Sequence, residues 1–150
     1  MKIIVFGARG EVGSRIVAEA TTRGHDVTAV IRSSTQMNGK APTVQTVVAD
    51  ITDTTALPSL LAGYDLAISA VRPPDGQEMD LAPLTESLLT AAGRANIRLL
   101  IVGGAASLLV PDKNRHSVLT APGFLPEDVV PIARASFAQY ELCRDARDTD

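Results

Sequence analysis

Gly7, Gly10 and Gly13 stand three residues apart in the run Gly7-Ala8-Arg9-Gly10-Glu11-Val12-Gly13, directly after the apolar stretch Ile3-Ile4-Val5-Phe6. Glycines at that interval suit a specific task. They hold a phosphate against main-chain N–H groups at the start of a helix, where the amides lack carbonyl partners and the helix dipole favours an anion. Gly7 would permit the tight turn, Gly10 would let the backbone approach a pyrophosphate, and Gly13 would let the helix close on the sheet. Ala8, Arg9, Glu11 and Val12 complete the same turn. Its position between a strand and a helix raises the motif above chance.

The end of the second strand selects the nucleotide. A domain that prefers NAD places Asp or Glu there to accept hydrogen bonds from ribose hydroxyls. Here the residues are Ile31-Arg32-Ser33-Ser34, and no carboxylate occurs from Val27 to Gln36. Arg32 suits a 2′-phosphate, and Arg9 projects from the glycine turn nearby. The expected ligand is NADP(H), with NAD(H) as the alternative. Asp50 and Ile51, after the third strand, are expected beside the adenine. Capping of the next helix by Asp50 or Thr52 is the competing use. Ala70-Val71-Arg72, ending the fourth strand, are expected along the cofactor ribose.

The elements that must position these residues follow from hydrophobic spacing and punctuation. Ile3–Phe6 reads as a strand buried on both faces, and 11–23 as a helix with apolar Val12, Ile16, Val17 and Ala20, stopped by Gly24. Val27–Ile31 completes a βαβ unit. A polar stretch with Asn38-Gly39, from Ser33 to Pro42, reads as a loop or loose helix. Strands are expected at 44–49, 66–71 and 99–102, and helices at 54–61, 81–95 and 128–146, with Pro131 confined to a first turn. The segment 105–126, with Pro111, Pro122, Gly123 and Pro126, reads as a long irregular loop of the kind that lines sites. This alternation specifies an α/β fold: a Rossmann-type doubly wound parallel sheet in three αβα layers, as a single domain over 1–150.

Composition sets the outer bounds. The chain has 150 residues, net charge −3 and only 3% aromatic residues, so the core must be aliphatic and no global field draws in nucleic acid or an anionic membrane. The longest apolar run, Leu99 to Val110, is broken by Gly103-Gly104 and is too short to span a bilayer. Cys143 is the single cysteine, which points to a cytoplasmic setting.

The chain resembles the atypical short-chain dehydrogenase/reductase proteins of the NAD(P)H-binding, NmrA-like kind, which include flavin and biliverdin-type reductases. The likeness rests on Lys2-Ile3-Ile4-Val5-Phe6-Gly7-Ala8-Arg9-Gly10, Val30-Ile31-Arg32, Ala49-Asp50-Ile51-Thr52-Asp53 and Val102-Gly103-Gly104-Ala105-Ala106-Ser107. It implies a Rossmann domain that binds NADP(H) or NAD(H), with substrate above the carboxyl ends of the strands. Members of that group include reductases, epimerase-like and dehydratase-like enzymes, and regulators that bind the dinucleotide without turnover. They usually continue past the last helix with another strand and a small substrate-binding region. This sequence ends at Asp148-Thr149-Asp150, so either that region is absent or the chain is part of a longer protein.

Three residues are candidates for the chemistry. The better-known short-chain dehydrogenases use Tyr-x-x-x-Lys, in which Lys lowers the Tyr pKa. Here the pattern is Tyr140-x-x-x-Arg144, on one helix face but with a cation that does not pass protons. Ser107 falls where the resembling enzymes place a carbonyl-polarising hydroxyl; a turn-forming serine would look the same. His116, in the long loop, is a candidate acid-base group or else a solvated side chain. His25, His116 and Cys143 share no ligand spacing, so no metal site is expected.

The expected activity is hydride transfer between NADP(H) and a small carbonyl, quinone or flavin-like acceptor. A flavin-like acceptor would need no protein acid, because positioning would supply most of the rate. The alternative is a non-catalytic protein that senses the NAD(P)(H) state. The expected partner is a small-molecule substrate, with no nucleic acid and no membrane; a homo-oligomer is compatible with the chain.

Overall fold

The computed structural model describes residues 1–33, 44–111 and 115–147. Most of the expected Ser33–Pro42 loop, with Asn38-Gly39, lies outside the described residues, as do 112–114 and 148–150. The elements in chain order are β1 (Lys2–Phe6), α1 (Glu11–Thr22), β2 (Asp26–Ile31), β3 (Gln45–Val48), α2 (Leu57–Leu61), β4 (Leu66–Ser69), α3 (Leu81–Ala95), β5 (Arg98–Ile101) and α4 (Val130–Arg147). They divide between two compact units, one of 1–72 with 87–102 and another of 73–86 with 103–150.

The first unit holds a five-stranded sheet in the order β3-β2-β1-β4-β5. Every pairing is parallel, with Ile3 opposite Val27 on one side and Leu66 on the other. A central strand of this kind is covered on both faces, and Ile3, Ile4, Val5 and Phe6 are all buried. The edge strands are half-covered: Val48 of β3 and Leu100 of β5 remain about half exposed, at 52% and 48%.

Helix α1 follows its apolar stripe onto the sheet. Val17 and Ala20 pack with Ile3, Val5, Ala8, Val27, Ala29 and Ile68. Right-handed crossovers place α1 on one face and the β3–β4 and β4–β5 connections on the other. The chain moves outward from β1 to β3, then returns to begin again at β4. That reversal opens a crevice at the carboxyl ends of β1 and β4, where such sheets bind ligands.

Two boundaries differ from the sequence expectation for identifiable reasons. Strand β4 ends at Ser69 rather than Val71, although the Ala70 N–H still donates to the Phe6 carbonyl at 3.0 Å. Pro73 and Pro74 then remove two donors from any continued ladder. Helix α2 starts at Leu57 rather than Thr54, because 54–56 are held as a turn by Asp53. In α1, Val12 is 49% exposed although it lies on the expected apolar stripe. Its turn belongs to the ligand-facing end of the helix.

In the second unit, α4 begins after a 3-10 turn at Glu127–Val129, with Pro131 in its first turn. The segment 105–126 folds back on itself, with N–H to O=C bonds from Val110 to His116, Val118 to Leu108 and Leu119 to Ala106. Among the described residues, no helix is long and apolar enough to cross a membrane.

Candidate functional site

Gly7 leaves β1 with φ +71°, a left-handed conformation that side chains resist. A Cβ there would collide with the Ala70 carbonyl and come within 2.7 Å of the Ala70 carbonyl carbon. The first turn is therefore wedged against the end of β4. Gly13 is more constrained still: a Cβ would fall on the Gly7 carbonyl oxygen and 3.0 Å from the Ala8 Cα. These contacts give Gly7 and Gly13 the turn-forming and close-packing roles that their spacing predicts.

Gly10 is the N-cap of α1 and carries no side-chain cap. The Ser14 N–H closes the first helical bond onto the Gly10 carbonyl at 2.9 Å, so the amides of Glu11, Val12 and Gly13 have no acceptor within the helix. They form a bare cradle of donors at the positive end of the dipole. The Glu11 carboxylate is drawn along the helix to Arg15, at 3.1 Å, and Arg9 is exposed in the turn. Uncapped amides at a helix start are the kind of donor set that binds a phosphate group.

Strands β2 and β3 end side by side, with the Ala49 N–H bonded to the Ile31 carbonyl at 3.0 Å. This brings Arg32 and Asp50 into one electrostatic neighbourhood. Hydrogen bonds from Thr52, chiefly its N–H at 2.9 Å, hold the Asp50 carboxyl below its ordinary range, and the Arg32 guanidinium adds to the effect. Asp50 thus closes its own turn, with Ile51 buried beside it. Ala70 and Val71 are half-buried beyond β4, and Arg72 is exposed.

The capping residue of the next turn is Asp53. Its Oδ1 accepts from the Thr55 hydroxyl at 2.7 Å, the Ala56 N–H at 3.1 Å and the Thr55 N–H at 3.2 Å. The Asp53-x-Thr55 spacing is the sequence signal for this arrangement. The Thr55 hydroxyl first, then the Ala56 amide, lower the Asp53 pKa. A depressed folded-state value contributes stability above the unfolded pKa, lost as pH falls through the folded value. Asp53→Ala is therefore expected to lower the melting temperature near neutral pH. The gap to the parent should narrow in acid, below the carboxylate range; a gap independent of pH in thermal unfolding would contradict this.

The catalytic candidates all lie in the second unit. Ser107 is half-buried after the buried Ala106, and its hydroxyl has no hydrogen-bond partner among the described residues. His116 is exposed, with Nδ1 3.4 Å from the Thr120 hydroxyl. Tyr140 is 46% exposed on α4. Its ring meets Phe137 at 6.2 Å between centroids and the Arg144 guanidinium at 6.0 Å. Arg144 itself bonds to Asp145 at 3.0 Å. Arg144 thus engages the tyrosine face in a cation–π contact.

Sequence spacing missed a hydrogen bond and a close approach in this unit. Gln139 donates to Thr85 at 2.9 Å with both side chains buried. Ser136 stands over Gly104, where a Cβ would meet its Oγ at 2.8 Å. Among the described residues, no group of three His, Cys, Asp or Glu side chains is placed to hold a metal ion.

Comparison with known proteins places this geometry. A family model described as NAD(P)H-binding matches residues 7–145. The uncharacterized protein YwnB of Bacillus subtilis is 33% identical over all of this chain and 67% of its own length. A crystal structure from Burkholderia pseudomallei, described as a candidate exported protein, has 34% identity and a TM-score of 0.79 over 95% of this chain and 65% of that one. A candidate NADH-flavin reductase from Streptococcus pneumoniae has 30% identity and a TM-score of 0.83 over 97% of this chain and 67% of that one. The chain therefore spans about two thirds of the length of these relatives. By the family match and by the glycine cradle at the β1–β4 reversal, this chain belongs to the NAD(P)H-binding family of atypical short-chain dehydrogenase/reductase proteins with a Rossmann fold.

Proposed function

We propose that the chain is an NADP(H)-dependent oxidoreductase of the cytoplasm that acts on a small carbonyl, quinone or flavin-like acceptor. The observation that carries this reading is the uncapped start of α1 behind the Gly7 turn, which is itself pressed against Ala70, with Arg32 at the neighbouring strand end. The amides from Gly7 to Gly13 hold the pyrophosphate. Arg32, with Arg9, binds the 2′-phosphate. Asp50 and Ile51 border the adenine, and Ala70, Val71 and Arg72 border the second ribose. When bound, the dinucleotide supplies the hydride. Ser107 and His116 offer a hydroxyl and an imidazole to the acceptor, and Tyr140 offers a phenol whose ring lies tilted against Phe137 and under the Arg144 guanidinium. The candidate NADH-flavin reductase from Streptococcus pneumoniae supports a flavin-like acceptor.

Calorimetric titration of NADPH and NADH against the parent chain and Arg32→Ala tests the cofactor assignment. NADPH should bind more tightly to the parent, and the substitution should weaken NADPH by about tenfold while leaving NADH nearly unchanged. An unaltered preference overturns the role given to Arg32.

A sensor of the dinucleotide state is the second reading, favoured by the Arg144 guanidinium lying over the Tyr140 ring where a proton-passing lysine would be needed. Turnover of NADPH with any member of a panel of flavins, quinones and aldehydes excludes a pure sensor. Tight binding without turnover across the panel excludes the reductase.

A further inference from the structure

Glu11 puts a carboxylate on the first residue of α1, beside the amides that await a phosphate. Two influences would keep it there. In a helix every Cα–Cβ bond leans toward the N-terminus, and the positive end of the dipole attracts an anion. An acid left at that spot would take the bare N–H groups for itself and repel a pyrophosphate. The structure instead draws the side chain along the helix to Arg15, one turn on. Arg15 holds Glu11 at two points: Nη2 donates to Glu11 Oε1 at 3.1 Å, and Nη1 donates to the Glu11 carbonyl at 2.8 Å. Arginine only donates, and a carboxylate or carbonyl oxygen only accepts, so the direction of both bonds is fixed.

The same helix carries a second pair of this spacing. Arg23 Nη2 lies 2.7 Å from Glu19 Oε1, about two turns beyond Glu11. Both pairs are exposed, and exposed pairs add little to stability. They differ in place, because Glu11 stands at the phosphate end and Glu19 does not.

We propose that Arg15 is a positioning residue for dinucleotide binding: it holds the Glu11 carboxylate off the amides of Glu11, Val12 and Gly13 and keeps the cradle open to the pyrophosphate. This inference rests on the assignment of that cradle to the pyrophosphate, and it names the pair that keeps the cradle accessible. Its effect falls on a group that NADPH and NADH share, whereas Arg32 acts on the 2′-phosphate alone.

Calorimetric titration at low ionic strength reads the effect, because salt screens exposed charges. Arg15→Ala should weaken NADPH and NADH alike, by about three- to fivefold, and Arg23→Ala should weaken neither. Glu11→Gln should bind both at least as well as the parent, and in that background Arg15→Ala should cost nothing further. An equal loss in the Glu11→Gln background would mean that Arg15 acts by its own charge, which overturns the proposal; so does a loss confined to NADPH. Amide proton–nitrogen correlation spectra need no nucleotide. In Arg15→Ala the Val12 and Gly13 amide protons should move downfield as the carboxylate reaches them, and Glu11→Gln should cancel the move. Unmoved amides overturn the proposal whatever the affinities. A parent chain that binds neither dinucleotide would remove the cofactor reading and with it the role in binding, while the spectra alone decide whether Arg15 directs Glu11.

Discussion

Gly13→Ala should cost the first unit about 3 kcal/mol of stability and abolish measurable nucleotide binding. The added methyl has nowhere to go. It would meet the Gly7 carbonyl and approach within 3.0 Å of the Ala8 Cα, both main-chain groups. Gly7 cannot retreat, because its own left-handed turn is already wedged against Ala70. Relief comes only by lifting α1 from the sheet, which would uncover Val17 and Ala20 and move the donor cradle away from the crevice.

The same substitution elsewhere gives the comparison its force. Gly93, inside α3, has open space around the position of a Cβ and no left-handed backbone, so Gly93→Ala should stabilise by about 0.5–1 kcal/mol through helix propensity. Gly24 also has open space but sits at φ +78°, so Gly24→Ala should cost about 1 kcal/mol of conformational strain and leave binding intact. Urea unfolding with NADPH fluorescence titration reads all three. If Gly13→Ala unfolds within about 0.5 kcal/mol of the parent, the close approach of α1 to the Gly7 turn is wrong.

The elements that carry the glycine turn and the neighbouring strand ends were legible because their signals are local. Gly7, Gly10 and Gly13 mark a strand-to-helix turn by spacing alone, and Ile31-Arg32 marks a strand end by the change from apolar to charged. Parallel packing then carries these ends to one edge of the sheet, as the Ala49-to-Ile31 and Ala70-to-Phe6 bonds record. The boundaries that moved did so through local polar chemistry that apolar periodicity does not register. Asp53 holds residues 54–56 in a turn, and Pro73 and Pro74 stop β4 from continuing. The second unit was less legible because its contacts join distant residues. Gln139 and Thr85 are separated by 54 positions, and neither residue type announces burial.

Thr85→Val should destabilise the second unit by about 2 kcal/mol, even though valine nearly matches threonine in shape. The Thr85 hydroxyl accepts from Gln139 Nε2 at 2.9 Å and donates to the Leu81 carbonyl at 2.8 Å. Both side chains are 2% exposed, so the glutamine amide that loses its acceptor cannot reach water. The reverse deletion is milder. In Gln139→Leu, Thr85 keeps its own bond to Leu81, and the cost should be about 1 kcal/mol or less. The double variant removes donor and acceptor together and should lose less than the sum of the two single losses, with a coupling of about 1–2 kcal/mol measured by chemical denaturation. Additive losses would mean that the two side chains do not depend on each other. Helix α4 carries Gln139 between Ser136, set over Gly104, and Tyr140, the phenol of the proposed function. On the proposed reading NADPH is held by the Gly7–Gly13 cradle of the other unit, so its affinity should be unchanged in Thr85→Val under conditions where the chain is folded. Loss of turnover with retained binding would then locate the acceptor's requirements in the second unit.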